Sequence, residues 1–189
     1  VTPYREYLGW LARQDRAAAV SAWRQALAGL EEGTRLAPRL VAGRAIEPAE
    51  LIVELGAELT SALGAQARRE GVTLATVLQA LWAALLGRLL ARSDVVLGVT
   101  VSGRPPELAG VERMVGLLIN TLPLRVRLEW GATVGEVYRQ VQASQASLLG
   151  HQHLGLAEIQ GLAGVGDLFD TLLVLENYPV DQQRLSAAC

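Results

Sequence analysis

Two histidines lie two residues apart in GHQHLGL, and they are the only histidines in the sequence, His151 and His153. Imidazole nitrogens bind transition metals, and a strand would present both rings on the same side. Only one acidic residue, Glu158, lies in the same segment, whereas a metal site normally takes three or four protein ligands. The pair therefore predicts an ordinary polar loop and no metal site.

Other local patterns of catalytic residues are also missing. The sequence contains no G-x-S-x-G nucleophile motif, no Walker loop and no dinucleotide-binding glycine fingerprint. The glycines in residues 161–166 follow a predicted helix and not a strand, which favours a loop over a phosphate cradle. Asp167 and Asp170 form a carboxylate pair of the kind that loops usually expose to solvent. Local chemistry alone therefore identifies no catalytic apparatus.

A rigid, charged turn lies in VSGRPPELAGVERMVGLLINTLPLRV, residues 101–126. Gly103 permits a sharp turn, and the two prolines after Arg104 fix φ and stiffen the exit from a strand. Asn120 and Thr121 then interrupt an apolar run. A polar side chain among core residues normally needs a partner. Two interpretations stay open: Asn120 and Thr121 lie on the open face of a strand, or they bind a ligand.

Composition limits the class of protein. The 189 residues are 51% hydrophobic and 19% charged, which is typical of a globular chain with one core. The formal net charge of -2 and the lack of a basic run argue against nucleic-acid binding. The single cysteine, Cys189, cannot form an internal disulfide, which fits a reducing cytosol. The N-terminal residues lack the pattern of a signal peptide.

Hydrophobic periodicity predicts alternating helices and strands. QDRAAAVSAWRQALAGLEEG predicts a helix with Asp15 as N-cap and Gly33 as the C-terminal stop. ELIVEL, residues 50–55, alternates and predicts a half-buried strand. Residues 60–70 predict a helix that ends at Gly71.

The second half of the chain continues this alternation. TLATVLQALWAALLGRLLAR, with Thr73 as N-cap, carries no charge before Arg88 and predicts a central buried helix. The uncharged stretch Val72–Gly87 is too short to span a membrane. DVVLGVTV predicts a strand covered on both faces, and DTLLVLENY predicts another. Thr133 and Glu136 form a capping box that begins a further helix. The alternation predicts an α/β fold in which helices cover a sheet.

The charged turn and its neighbours resemble the condensation domain of non-ribosomal peptide synthetases. GVTVSGRPPELAGVERMVGLLINTLPLRV is similar to the family's Ser-Gly-Arg-Pro stretch and to the Gly-Leu-Phe-Ile-Asn-Thr-Leu-Pro motif after it, with Leu118 in place of Phe. PYREYLGWL resembles the family's Tyr-x-Asp-Tyr/Phe-Ala-x-Trp motif through Tyr4, Tyr7 and Trp10, with Glu6 in place of Asp.

The resemblance runs from Tyr4 to Pro179. HQHLGLAEIQ resembles the family's His-Gln-Asp-x-Pro-Phe-Glu motif, with His153 in place of Asp and Gly155 in place of Pro, and LFDTLLVLENYP resembles the strand motif that follows. The catalytic signature His-His-x-x-x-Asp-Gly is absent, and the family continues beyond ENYP. We therefore expect residues 1–189 to form part of the C-terminal lobe of such a domain, without the N-terminal lobe that carries the histidine motif.

The resemblance implies a single lobe of a chloramphenicol acetyltransferase-like fold, with a mixed β-sheet layered with helices. Two such lobes enclose a tunnel in which peptide bonds form between thioesters carried on phosphopantetheine arms. Arg104 would orient the histidine motif by pairing with its aspartate, and Ser102, Gly103, Asn120 and Thr121 would line the tunnel. The resemblance implies no catalytic residue, no directly bound cofactor and no metal in this chain.

The implied partners are the N-terminal lobe of the same domain, peptidyl or acyl carrier domains and an adjacent adenylation domain, all in the cytoplasm. The chain alone should be inert and should self-associate, with no nucleic acid or membrane as partner. Two alternatives stay open. The chain belongs to a non-catalytic relative that docks a carrier protein or partner enzyme, or to an epimerisation domain. The Ser-Gly-Arg-Pro stretch argues against epimerisation, because such domains carry a different, histidine-containing motif there.

Overall fold

The computed structural model describes residues 2–37, 47–129 and 131–176. Trp130, Cys189 and the last residues of the predicted DTLLVLENY strand lie outside this part of the chain. The described helices and strands are α1 (Tyr4–Ala12), α2 (Arg16–Leu27), α3 (Ala57–Glu70), α4 (Leu74–Leu90), β1 (Asp94–Val101), β2 (Asn120–Arg127), α5 (Val134–Leu148), α6 (Leu156–Ala163) and β3 (Leu172–Leu173). Short 3₁₀ turns occupy Val111–Arg113 and Leu149–His151.

The sheet has the strand order β2-β1-β3. β1 pairs antiparallel with β2 along its length and parallel with β3 over two residues, so the sheet is mixed. Residues 95–99 of β1 are buried on both faces, which confirms the strand predicted from DVVLGVTV. A side chain in place of Gly98 would meet the ring of Phe169, because a Cβ there would lie 2.4 Å from Cε2. The predicted α/β fold with helices around a mixed sheet is confirmed.

The main core lies between the sheet and helices α2, α4, α5 and α6. Its largest fully buried side chains are Trp23, Leu86, Leu97, Ile159 and Leu168. A second, smaller cluster consists of Val111, Met114 and Leu118, with Tyr4, Tyr7 and Leu108 packed against it. This smaller cluster lies under the charged turn that follows β1.

Two helix starts that were predicted from sequence are confirmed. The Asp15 carboxylate accepts a hydrogen bond of 2.9 Å from the backbone N–H of Ala18 at the start of α2. Thr133 and Glu136 exchange the two hydrogen bonds of a capping box at the start of α5. The predicted end of α2 at Gly33 is wrong: the helix ends at Leu27. Gly33 has another role, since a Cβ at that position would lie 2.0 Å from the Asp167 carbonyl oxygen.

The prediction of a strand at residues 50–55 is wrong. The structure assigns no strand there, and both sets of alternating side chains are exposed, with Leu51 at 87% and Ile52 at 77% of their accessible surface. Alternating hydrophobic residues favour a strand with one covered face. The strand forms only where a neighbouring strand accepts and donates the hydrogen bonds of its backbone. Among the described residues, no strand lies beside this segment.

The helix predicted to be buried on all sides is α4. The helix is confirmed, but only one of its sides is buried. Val77, Ala80, Ala83 and Leu86 are buried against the core, but Leu81, Leu85 and Leu89 form an exposed apolar stripe on the other side. No single helix in the described ranges is long and apolar enough to cross a membrane. α3 and α4 pass that test only as a pair, and they meet at 101°.

Candidate functional site

Residues 102–119, which we call the elbow segment, join β1 to β2. Gly103 begins the turn with φ of +59°, and a Cβ there would lie 1.6 Å from the Leu118 carbonyl oxygen. No other residue type fits such a close approach in that backbone conformation. The Leu108 N–H then donates to the Pro105 carbonyl at 3.1 Å, which closes the turn that the two prolines stiffen.

Arg104 folds the elbow segment onto itself. One guanidinium nitrogen donates to the carbonyl oxygens of Val111 and of Met114, the latter at 3.3 Å. Val111 begins the 3₁₀ turn and Met114 directly follows it, and the side chains of both belong to the smaller core cluster. The side chain is half-buried and has no acidic partner among the described residues. Pairing of Arg104 with an aspartate of a histidine motif therefore stays a prediction.

The Asn120 side chain is already engaged at the start of β2. Its Nδ2 donates to the carbonyl oxygens of Gln152 at 2.8 Å and Leu154 at 2.9 Å. Its Oδ1 accepts the N–H of Thr121 at 2.9 Å. These contacts satisfy both donors, so a ligand amide could reach only the remaining lone pair of Oδ1. A tunnel role for Asn120 stays a prediction, and the structure shows that it also ties β2 to residues 152–154.

The other residues expected in the tunnel lie along the same junction. Thr121 is half-buried and pairs with Thr100 across the two strands. Ser102 is exposed, and its hydroxyl lies 3.4 Å from the Arg104 N–H that donates to it. Gly103 is half-buried at the turn. All of these residues therefore cluster where the elbow segment leaves β1 and enters β2, but lining of a tunnel stays a prediction for each of them.

The two histidines occupy different surroundings. The His151 carbonyl accepts the indole N–H of Trp23 at 2.9 Å, so this backbone fastens α2. The His153 ring lies edge-on to Trp10, with ring centroids 6.2 Å apart, and both its nitrogens are buried without a hydrogen-bond partner. In the described ranges, no three metal-binding side chains come close enough to hold an ion.

Burial is the main cause that lowers the pKa of His153, and the neighbouring His151 adds to the shift. The Gly150 backbone lies near enough to oppose part of that shift, but it does not reach hydrogen-bonding geometry. Burial favours the neutral form of the imidazole, and the ring packs against Trp10. His153 is therefore part of the packing around α1.

The sequence identifies Trp10 only through the aromatic motif that it shares with Tyr4 and Tyr7, and it does not predict the polar contact of this residue. Its indole N–H donates to Glu107 Oε1 at 3.2 Å, across 97 residues of sequence. The spacing of Tyr4, Tyr7 and Trp10, three residues apart, indicates that the three rings share one face of a helix. The partner of that face is set by the tertiary structure, which no local pattern reveals.

Two surface clefts lie away from the elbow segment. One, of 320 Å³, is lined by residues of α2, β2 and α5 that include Trp23, Arg125 and Ser147. The other, of 400 Å³, adjoins it at Arg127 and Gln140. The guanidinium of Arg125 forms an ion pair with Asp94. Arg125 therefore does not give either cleft an unpaired positive charge. The motif residues and the clefts are therefore separate features.

Comparison with known proteins agrees with this geometry. The family model described as Condensation domain matches residues 1–188. The chain belongs to the condensation domain family. Surfactin synthase subunit 3 of Bacillus subtilis (strain 168) is 38% identical over 185 residues, which are 97% of this chain and 14% of that protein. Chondramide synthase of Chondromyces crocatus is 42% identical over 192 residues, or 97% of this chain and 5% of that protein.

Solved condensation domains share the fold. The first condensation domain of the calcium-dependent antibiotic synthetase, in complex with a substrate analogue, superimposes with a TM-score of 0.75 at 29% identity. The match covers 92% of this chain and 40% of that one. The X-domain from teicoplanin biosynthesis superimposes with a TM-score of 0.66 at 23% identity, a likeness of fold alone. The condensation-domain chain thus spans a small part of its curated relatives and under half of these solved domains.

Proposed function

We propose that this chain is the C-terminal-lobe part of a condensation domain that forms peptide bonds in a non-ribosomal peptide synthetase. In that reaction the amine of one carrier-bound substrate attacks the thioester carbonyl of another. A C–N bond forms, the C–S bond breaks, the phosphopantetheine thiol leaves, and the amine loses a proton. The observation that carries the proposal is the elbow segment, whose Ser-Gly-Arg-Pro turn is folded and closed by Arg104 within a matching family fold.

The contribution of this lobe is positional. Attack of an amine on a thioester depends on holding the two groups together and on stabilising the oxyanion. Arg104 has a planar guanidinium, and one of its nitrogens already fixes the 3₁₀ turn. Its remaining N–H groups suit a carboxylate, which would let it hold the histidine motif of the other lobe in place.

The proposal places proton transfer outside this chain. The ring nitrogens of His153 are buried against Trp10. The sequence contains no His-His-x-x-x-Asp-Gly signature. The proposal therefore includes an N-terminal lobe that carries that motif, two carrier domains that present the phosphopantetheine thioesters, and an adjacent adenylation domain, all in the cytoplasm.

The test compares three samples with both loaded carrier proteins. The samples are this chain, a completed condensation domain that contains it, and the completed domain with the second histidine of its motif changed to alanine. Chromatography should detect dipeptide only in the second sample. Dipeptide from this chain alone would contradict the division of labour between lobes. Product absent from all three, with carrier binding retained, would instead support the docking function that was the alternative from sequence.

A further inference from the structure

Helix α1 contacts the far end of the elbow segment through Tyr4. The Tyr4 hydroxyl donates to the Leu117 carbonyl at 2.7 Å, across 113 residues of sequence. The ring of Tyr4 lies directly against Gly116, where a Cβ would come within 2.3 Å of the ring atom Cδ2. The absence of a side chain at 116 is therefore a condition for this contact, which makes it a specific fit between two distant segments.

The same helix contacts the near end of the elbow segment through Trp10, whose indole N–H donates to Glu107 Oε1 at 3.2 Å. Tyr7 lies between the two anchors, with its ring 5.5 Å from Tyr4 and 5.6 Å from Trp10. The Tyr7–Trp10 pair is stacked and the Tyr4–Tyr7 pair is tilted, and both centroid separations lie in the range at which aromatic rings attract one another. The three rings form a continuous row along one face of α1, and the row ends edge-on at His153.

No other element of the described chain makes hydrogen bonds to the elbow segment. The remaining hydrogen bonds of residues 102–119 are internal, such as those that Arg104 makes. The segment has little regular structure of its own, and only Val111, Met114 and Leu118 are buried beneath it. The two anchors from α1 are therefore the hydrogen bonds that fasten the segment to another element of the described chain.

We propose that Tyr4 and Trp10 are positioning residues that hold the elbow segment, and through it Arg104, in one conformation for the reaction. The proposal rests on the function proposed above, because Arg104 acts there only if peptide bonds form. The mechanism is direct: the Tyr4 anchor fixes residues 116–117, the Trp10 anchor fixes residue 107, and the carbonyl partners of Arg104, in and directly after the 3₁₀ turn, lie between them.

The first test is hydrogen exchange in the full-length protein that carries this sequence. Tyr4→Phe removes one hydroxyl and keeps the ring against Gly116. Four backbone amides report on the elbow segment, because their hydrogen bonds lie within it: Leu108, Val111, Arg113 and Met114. Their exchange should become about tenfold faster in Tyr4→Phe, the effect of one lost hydrogen bond. Tyr138→Phe is the matched control, because it makes the same change at a buried tyrosine of α5, away from the elbow segment.

The second test is kinetic and uses the same proteins with loaded carrier proteins. Tyr4→Phe and Trp10→Phe should each lower kcat about three- to tenfold with little change in KM, as expected for lost positioning. Glu107→Ala should lower kcat similarly, and Glu107→Gln, which keeps an acceptor for the indole, should restore it. In an Arg104→Ala background, Tyr4→Phe should have almost no further effect, since both act through the same group.

The outcomes separate this inference from the proposed function. Unchanged exchange in Tyr4→Phe, relative to Tyr138→Phe, would overturn the inference. Faster exchange without a change in kcat would also overturn it, because α1 would then hold the segment without serving the reaction. If the unmodified protein forms no dipeptide, the proposed function fails, and the exchange arm alone decides whether α1 sets the conformation of the elbow segment.

Discussion

Arg125 on β2 forms a bidentate ion pair with the carboxylate of Asp94 at the start of β1. Nε lies 2.9 Å from one oxygen and a terminal nitrogen lies 2.6 Å from the other. The third nitrogen donates to the carbonyl of Ala28 at 2.8 Å, just after α2. Only 6% of the Arg125 side chain is exposed, so this ion pair joins the sheet to the end of α2 in a largely dry environment.

Replacing Arg125 with methionine should destabilise the chain strongly. The change removes the close donors to the Asp94 carboxylate and the donor to the Ala26 carbonyl, whereas the Ala28 carbonyl keeps the Arg127 guanidinium at 3.2 Å. We expect a loss of about 3 kcal/mol in the free energy of unfolding, less than for a fully buried pair because Asp94 keeps some solvent contact. Chemical denaturation monitored by circular dichroism measures it.

Arg127→Met is the matched control on the same strand. Its side chain is mostly exposed and approaches Asp94 only at 4.0 Å. A pair of this kind contributes under about 1 kcal/mol. Equal losses for the two variants would show that burial does not distinguish the two arginines.

The confirmed predictions share a local cause. The Asp15 cap, the Thr133 capping box and the continuous β-branched run of β1 depend on residues within one turn or one strand. Ser-Gly-Arg-Pro likewise predicts a stiff turn, because glycine and proline restrict their own backbone. Features that neighbouring residues determine were predictable from the sequence.

The missed features depend on distant partners. The alternation of residues 50–55 was read as a strand, but it produces one only beside another strand. The spacing of the motif predicts a shared helix face for Tyr4 and Trp10, but not that Trp10 donates to Glu107 or that Tyr4 fits against a glycine more than a hundred positions away. The likeness to a family located the candidate site, but the contacts that hold it required the fold.

The pH dependence of stability should report on His153. Burial lowers its folded pKa below the ordinary value of 6.5, so the unfolded chain binds the proton more readily. Stability contributed by the neutral ring is therefore present above pH 6.5, falls as the pH drops through that value, and is lost below the folded pKa.

His153→Phe keeps an aromatic ring beside Trp10 and removes the titration. Denaturation at pH 8 and at pH 5.5 should show a smaller loss of unfolding free energy on acidification in the variant than in the unmodified chain. The difference between the two losses isolates His153 from the other groups that titrate in this range. Identical losses in both proteins would contradict the burial effect.

The chain in isolation should self-associate through the outer face of α4. Leu81, Leu85 and Leu89 are each at least 44% exposed and lie one turn apart, so they form one apolar stripe. Sedimentation velocity should show species larger than the monomer that grow with concentration. Leu85→Gln with Leu89→Gln should shift the distribution towards monomer, whereas Leu149→Gln, a change at an exposed leucine after α5, should not. A concentration-independent monomer would contradict this expectation.

Arg104→Ala should impair both the elbow segment and the reaction. In the isolated chain the variant loses two contacts to the carbonyls of Val111 and Met114, with a cost of about 1–3 kcal/mol in unfolding free energy. Arg104→Lys should recover part of that stability, since an ammonium group can still donate to a carbonyl. It should recover little of the condensation rate in a completed domain, because lysine lacks the fork that pairs with a carboxylate. The measurements are thermal unfolding and single-turnover dipeptide formation, with carrier binding followed separately and expected to stay unchanged. A lysine variant with the full rate would show that charge alone suffices, and an alanine variant with unchanged rate and stability would remove Arg104 from the site.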